Sequence, residues 1–218
     1  MKLLVLQSCL VFSQHAFYNS GNLRIHSGAS VTIFGDLTNS YGAVLVNNGN
    51  LYSKSAIVNN EAGMSAGTGT LYLDGASLQV VSGSEVLKVN NLVTDNTAGI
   101  ALNNNLSLTG NHQFVNGLIG SSVTPNYLIY ESGATHSGAT DSRHVTGWIK
   151  KIGSDNFIFP VGDNSFLRTI AISSLSVAAE FNCHYYRTTP NIYNLQSPIV
   201  KVRAVQKSGP DIIPEGTG

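Results

Sequence analysis

The chain has 218 residues, of which only 11% are charged, against a usual share of about 25%. Twelve Lys+Arg balance twelve Asp+Glu, for a net charge of zero. That balance excludes the basic face of a nucleic-acid binder and the charge excess of an acidic disordered chain, while the length and the 42% hydrophobic content suffice for a sizeable core.

Residues 1–14 read as a secretory leader. Lys2 is a short positive region, Leu3 to Phe12 is mostly apolar with Gln7 and Ser8 as interruptions, and Val11-Phe12-Ser13 offers a cleavage point before Gln14. The apolar run is too short to span a bilayer. The competing reading is a first strand beginning at Met1.

Five glycines then fall seven residues apart, Gly21, Gly28, Gly35, Gly42 and Gly49, with Ala56 and Gly63 in the same phase. A heptad of this kind does not form a coiled coil, because each glycine would cost a helix about 1 kcal/mol. The segments between them alternate as strands do: Leu23-Arg24-Ile25, Val31-Thr32-Ile33, Val44-Leu45-Val46. Short strands joined by glycine corners at a fixed step predict a β-solenoid, with three steps, about 21 residues, making one three-faced coil. The alternative is a β-sandwich, whose strands are usually longer and spaced about 8–12 residues apart. The phase drifts after Gly63, as insertions would make it do. Strand-like segments continue at Leu71-Tyr72-Leu73, Leu78-Gln79-Val80, Leu87-Lys88-Val89, Ile100-Ala101-Leu102 and Leu106-Ser107-Leu108, and Gly28 to Ile33 is nearly repeated by Gly75 to Val80. Asparagine clusters at Asn47-Asn48, Asn59-Asn60, Asn90-Asn91 and Asn103-Asn104-Asn105 suit corners, where this side chain bonds local backbone or stacks into ladders from coil to coil. Regular polar rows of this kind could also serve glycan or ice contact.

The rhythm stops near Gly120. Ser121 to Asn126 reads as a loop, Tyr127 to Tyr130 as a strand, and Ser132 to Ser142 as a polar loop. Val145 to Gly153 and Asp155 to Asn164, divided by Gly153-Ser154, predict a hairpin followed by strands at Arg168 to Ile172, Phe181 to Thr188 and Ile199 to Val205. Ser208 to Gly218 reads as a stretch cut off mid-domain. No segment has a helical period.

Gly147-Trp148-Ile149-Lys150-Lys151-Ile152-Gly153 and Phe157-Ile158-Phe159-Pro160-Val161-Gly162-Asp163, following Asn- and Gly-rich repeats such as Gly99 to Gly110, resemble a region common in large secreted surface proteins of Bacteroidota. Phe114-Val115-Asn116-Gly117-Leu118-Ile119 is similar too, and the resemblance spans roughly residues 15 to 190. It implies β-solenoid repeats, a surface location, a structural or adhesive role, and export by the type IX secretion machinery through a C-terminal sorting domain, which this chain does not show.

Solenoids also carry polysaccharide lyases and hydrolases, which need grouped carboxylates or a calcium site beside a base. The acids from Gly21 to Gly120 are Asp36, Glu61, Asp74, Glu85 and Asp95, scattered singly. Asp74 and Asp95 lie one predicted coil apart and are the one pair placed to share a face. His15, His26, His112, His136, His144 and His184 include no metal-ligand spacing, although His136 and His144 flank Asp141 in a segment read as a solvated loop. Gly162-Asp163-Asn164 reads as a turn rather than a calcium site. Trp148 reads as core, with Lys150 and Lys151 solvated, the glycan-contact alternative standing beside it. Cys183, the one cysteine after the leader, reads as a buried structural thiol.

The expectation is therefore an all-β chain. A parallel β-helix-like solenoid occupies residues 15–122, and a smaller, sandwich-like β-module, cut off before its end, occupies 123–218. No catalytic, cofactor-binding or metal residue is assigned. The expected function is a non-catalytic, secreted or cell-surface structural or adhesive role, with glycans or host-surface components as partners and no nucleic acid. The runner-up is a carbohydrate-active β-helix, lyase-like or glycan-binding.

Overall fold

A computed structural model describes residues 16–121 and 125–187. The segment read as a leader, the strand expected at Ile199 to Val205 and the stretch from Ser208 lie outside the described residues. Among these residues every element is a strand, and no helix is long and apolar enough to cross a membrane.

The strands follow one another as coils of a parallel β-solenoid. The first coil is β1 (Phe17–Asn19), β2 (Asn22–Ile25) and β3 (Ser30–Ile33), and the second is β4 (Leu37–Asn39), β5 (Val44–Asn47) and β6 (Asn50–Ser53). The third has β7 (Ile57–Asn59) and β8 (Thr70–Leu73), with the irregular segment 60–69 between them. The fourth is β9 (Gln79–Ser82), β10 (Leu87–Val89) and β11 (Asn91–Asp95), and the fifth is β12 (Ile100–Leu102), β13 (Leu106–Leu108) and β14 (Asn111–Asn116). The sixth is β15 (Ile119–Ser121), β16 (Tyr127–Tyr130) and β17 (Thr135–Ser137). The first face is β1-β4-β7-β9-β12-β15 and the third is β3-β6-β8-β11-β14-β17. The second face divides, where the third coil lacks a strand, into β2-β5 and a stretch that begins β10-β13-β16.

Parallel pairing runs on past residue 122. β18 (Trp148–Gly153) lies parallel to β16, with Tyr127 opposite Trp148, and Val145 bridges Ile119 on the first face. The expected hairpin between β18 and β19 (Phe157–Phe159) does not form. β19 pairs antiparallel with β20 (Ile170–Ile172), and β18 pairs antiparallel with β21 (Ala179–Cys183). Gly153-Ser154 is thus a solenoid corner, and the antiparallel strand β21 covers the last edge of the second face. The sandwich-like module is not seen among the described residues.

The heptad of glycines is not the structural unit. Phe17 sits on Leu37 and Leu37 on Ile57, a step of 20 residues, so glycines 21 apart drift to different corner positions. Gly28 and Gly42 have φ of 80° and 77°, which favours glycine. Gly49 has an ordinary φ, but a Cβ there would strike the carbonyl oxygens of His26 and Ala29 in the coil beneath. The near-repeat of Gly28 to Ile33 by Gly75 to Val80 also misleads. The first leads into β3 on the third face, whereas Gly75 to Leu78 is an extended corner with Leu78 exposed, and Gln79-Val80 opens β9 on the first face. Buried Gln79 fixes that corner: its amide donates to the carbonyls of Ser53 and Ser55 and its Oε1 accepts from Gly75 N.

Inward residues stack coil on coil, as the strand period of two requires. On the third face Leu51, Leu71, Leu92 and His112 form one column, and Ser53, Leu73, Thr94 and Phe114 form another. On the second, Val89, Leu108, Tyr130 and Lys151 are aligned. At the first-face corner Asn19, Asn39 and Asn59 form a ladder, each amide donating to the next side-chain oxygen at 2.9 and 2.8 Å. Asn39 and Asn59 are fully out of solvent, so the ladder satisfies polar groups that would otherwise oppose burial. Other asparagines bond main chain, as Asn104 does to the carbonyls of Gly83 and Glu85. Under the irregular third-coil segment, Met64 closes an apolar cavity of about 20 Å³ with Leu45, Ile57 and Leu87, room for little more than a water.

Candidate binding surfaces

The third face has six strands, as the first does, but longer ones, and so the broader regular outer surface among the described residues. One outward row is Ser30, Asn50, Thr70, Asn91, Asn111 and Thr135; the other is Thr32, Tyr52, Tyr72, Val93, Gln113 and Ser137. Side chains tie the first row together, with Asn50 donating to Ser30 Oγ at 3.3 Å and Thr135 to Asn111 Oδ1 at 3.1 Å. In the second, Tyr52 and Tyr72 stack with ring centroids 4.2 Å apart and planes 14° from parallel. Burial, together with the neighbouring Tyr52, raises the Tyr72 phenol above its ordinary pKa.

Asp74 and Asp95 sit at the edge of this face, each directly after residues paired in register, Leu73 and Thr94. The structure places them in adjacent coils, as the sequence offset predicts, but commits both. Asp74 Oδ2 pairs with Lys54 Nζ at 2.5 Å, and Asp95 Oδ1 accepts from Asn116 Nδ2 at 2.7 Å. Asp74 Oδ1 is buried without a hydrogen-bond partner.

His136, Asp141 and His144 do not converge on a metal site. His136 lies on β17 and its Nε2 donates to the carbonyl of Ile158 at 2.5 Å, Asp141 Oδ1 accepts from Leu167 N, and His144 faces the carbonyls of Thr140 and Asp163. The solvated-loop reading is corrected here, since His144 is fully buried and Thr135–Ser137 is a strand in the third face. Among the described residues no group of three or more His, Cys, Asp or Glu could hold a metal ion. Asp163 makes the expected turn, its Oδ1 accepting from the amides of Ser165 and Phe166 at 2.8 Å, bonds that hold its carboxyl below the usual range.

The second face corrects the reading of Trp148 and its lysines. β18 alternates, with Ile149 and Lys151 inward and Trp148 and Lys150 outward. Trp148 is therefore not a core residue, and Lys151, wholly buried, is not a solvated lysine. Lys151 Nζ donates to the Glu131 carbonyl at 2.8 Å and lies 5.4 Å from the Phe157 ring centroid. Outside, Trp148 lies between Tyr127, its partner on β16, and His184, with ring centroids 6.0 and 5.0 Å away. Tyr186 completes the group, 4.2 Å from His184 and 6.2 Å from Trp148. Lys150 Nζ stands 5.1 Å from the Tyr127 ring centroid and 2.9 Å from Glu180 Oε2. The 21-residue spacing of Tyr127 and Trp148 was a readable signal for this strip, whereas His184 and Tyr186 arrive by a chain reversal that no coil period announces. Cys183 faces inward beside Ile149 and is half-buried, and burial pushes its thiol up to about 12, so it is a poor nucleophile.

One interior cluster was not foreseen. His112, fully buried, lies 3.1 Å from Thr94 Oγ1 through Nε2 and 2.8 Å from the Tyr130 hydroxyl through Nδ1. A neutral imidazole has one donor and one acceptor nitrogen, so one hydroxyl donates to it and the other accepts. Burial, reinforced by the neighbouring His136, pushes His112 down to about 3.

These features define a class by architecture, a parallel β-solenoid with two distinct outer surfaces. Comparison with protein-family models, with curated proteins and with solved structures gives no match for the chain.

Proposed function

We propose that this chain is a rigid rod displayed at the cell surface or secreted, with a structural or adhesive role and no catalytic activity. It engages glycans or other surface components through many weak contacts. The observation that carries this reading is the outer side of the third face, two rows of six outward residues in which none is charged. Strands about 4.8 Å apart repeat hydrogen-bonding side chains at a fixed interval, and a repetitive surface gains avidity from simultaneous contacts without a deep pocket. The engagement of Asp74 by Lys54 and of Asp95 by Asn116 favours binding over turnover. Export fits the leader-like residues 1–14 and the resemblance to Bacteroidota surface proteins, with the type IX machinery as the route and a sandwich-like β-module beyond the last coil.

The test is adhesion of beads carrying the full chain to cells and to glycan-coated surfaces. Adhesion should rise steeply with bead density, and replacing Tyr52 and Tyr72 together should weaken it more than either change alone. Absence of adhesion at every density overturns the reading. So does reproducible cleavage of a polysaccharide that Asp74→Asn or Asp95→Asn abolishes.

The glycan-binding half of the runner-up has its own support in the aromatic strip around Trp148, which lies on a different face.

A further inference from the structure

We infer that the outer side of β16, β18 and β21 is a sugar-binding platform, on which Trp148, flanked by Tyr127, His184 and Tyr186, stacks a ring of an uncharged saccharide. The inference rests on the adhesive reading above and names a ligand class for a second surface.

The geometry favours this over a packing seam. Strand alternation puts Trp148 and Lys150 on the outside while Ile149 and Lys151 close the core. Lateral pairing then sets Tyr127 on one side of Trp148, and the antiparallel return of β21 sets His184 on the other. The result is a cross-strand row of rings at 6.0 and 5.0 Å, extended by Tyr186, which is 46% exposed. Aromatic faces carry partial negative charge and attract positively polarised edges, and the C–H face of a pyranose is such an edge.

Charge selects the ligand. Among the described residues, the charged groups on the outer sides of β18 and β21 are Lys150 and Glu180, and they pair with each other at 2.9 Å. Desolvation depresses the His184 imidazole, which keeps it uncharged at neutral pH. The Lys150–Glu180 pair thus leaves no unpaired charge on the outer sides of β18 and β21 for a phosphate, an acidic glycan or an anionic bilayer, and the nearby Glu131 carboxylate, which accepts from Ser107 Oγ at 2.7 Å, disfavours anions further. The Lys150 ammonium and the Glu180 carboxylate still supply a donor and an acceptor for sugar hydroxyls beside the rings.

Trp148 is the single tryptophan of the chain, so its fluorescence reports the site directly. The full chain is titrated with cello-, xylo- and manno-oligosaccharides and with polygalacturonate. The expected result is a saturable change in Trp148 emission with at least one neutral series and none with polygalacturonate. Tyr127→Ala, which keeps the reporter, should weaken that binding about tenfold, the scale of one lost aromatic contact. Tyr72→Ala, on the other face, should leave it unchanged. Silence toward every neutral series, or acrylamide quenching no greater than for a buried indole, overturns the inference. A response confined to polygalacturonate overturns it as well. Retained bead adhesion in that case leaves the surface-rod reading standing, and sugar binding without adhesion has the opposite meaning.

Discussion

Lys151 is shut away from solvent while its ionic partner Asp155 is not: Lys151 Nζ meets Asp155 Oδ2 at 3.2 Å, yet the lysine side chain has no exposure and the aspartate is 45% exposed. The pair joins the last parallel strand to the corner that follows it. Asp155 also accepts from Gly133 N in the preceding coil, and that bond, with the Lys151 contact, holds its carboxyl below the usual range. The cation is thus kept inside by one main-chain carbonyl, one carboxylate and an aromatic face.

Removing that cation tests how far the last coil depends on it. Lys151→Ala leaves a cavity and removes one of two bonds to the Glu131 carbonyl, which still accepts from Ala134 N at 3.0 Å, and should lower unfolding stability by about 3 kcal/mol, mostly from the cavity. Lys151→Met keeps the volume and spares the desolvation of a charge, so it should cost less than about 1.5 kcal/mol. Urea unfolding of both variants separates the cases. Equal losses would mean that charge, not packing, holds the corner.

The asparagine ladder predicts a position-dependent cost. Asn39 has a ladder neighbour above and below and no solvent exposure, whereas Asn19 stands in the first described coil with 6% exposed. Asn39→Ala removes one bond from the Asn19 amide, which keeps the Val44 carbonyl, and one from the Asn59 oxygen, which keeps Glu61 N at 3.4 Å, so a loss of about 1–3 kcal/mol is expected, from two buried hydrogen bonds at about 0.5–1.5 kcal/mol each. Asn19→Ala should cost less. Chemical denaturation of the pair checks the order, and a larger effect at Asn19 would show that the ladder is not a buried network.

Much of this architecture was legible because a solenoid repeats its physics. Leu71-Tyr72-Leu73 alternates on the page and alternates in β8, and corner glycines such as Gly28 mark real bends. The coil length, read as about 21, is 20 residues from Phe17 to Leu37 and 21 from Leu71 to Leu92 and from Tyr127 to Trp148, while the glycine phase tracks two unlike demands, positive φ at Gly28 and close approach at Gly49, which need not share a period. Trp148 was misplaced for a related reason. Once parallel pairing continues to β18, alternation alone turns it outward, whereas the hairpin reading of Gly153-Ser154 removed that constraint. The His112 cluster was out of reach, since Thr94, His112 and Tyr130 meet only through lateral stacking at two steps of 18 residues, off the register of the paired strands.

That cluster makes the fold acid-sensitive. His112 titrates near 6.5 when unfolded and near 3 when folded, so the folded chain holds the neutral ring. Its contribution is present in full above about pH 6.5 and is lost as pH falls toward 3, at roughly 1.4 kcal/mol per unit. His136 and His184 are depressed by burial as well and act in the same direction. Urea midpoints should fall between pH 6.5 and 4. His112→Gln, which can still bridge the hydroxyls of Thr94 and Tyr130, should flatten the profile. An unchanged slope in that variant would assign the acid loss to other groups.

The third coil carries the last test, because it lacks a strand on the second face and depends on a side chain instead. Met64 is 7% exposed and closes the cavity against Leu45, Ile57 and Leu87. The backbone around it is pinned mostly by Asn47, whose carbonyl accepts from Thr68 N and Gly69 N, and by Lys88 Nζ, which donates to the Ala62 carbonyl. The ladder ends at Asn59, whose amide donates to the Glu61 carbonyl at the start of the segment, so on the second face packing must hold the coil closed. Met64→Ala should cost about 2–5 kcal/mol, and Met64→Leu less than about 1.5 kcal/mol, since an unbranched thioether and a leucine fill similar volumes. Leu78→Ala, at a corner residue 59% exposed, is the control and should shift stability by no more than about 0.5 kcal/mol. If Met64→Ala proves no costlier than that control, the segment 60–69 is a surface excursion and the second face is sealed by Leu45 and Leu87 alone.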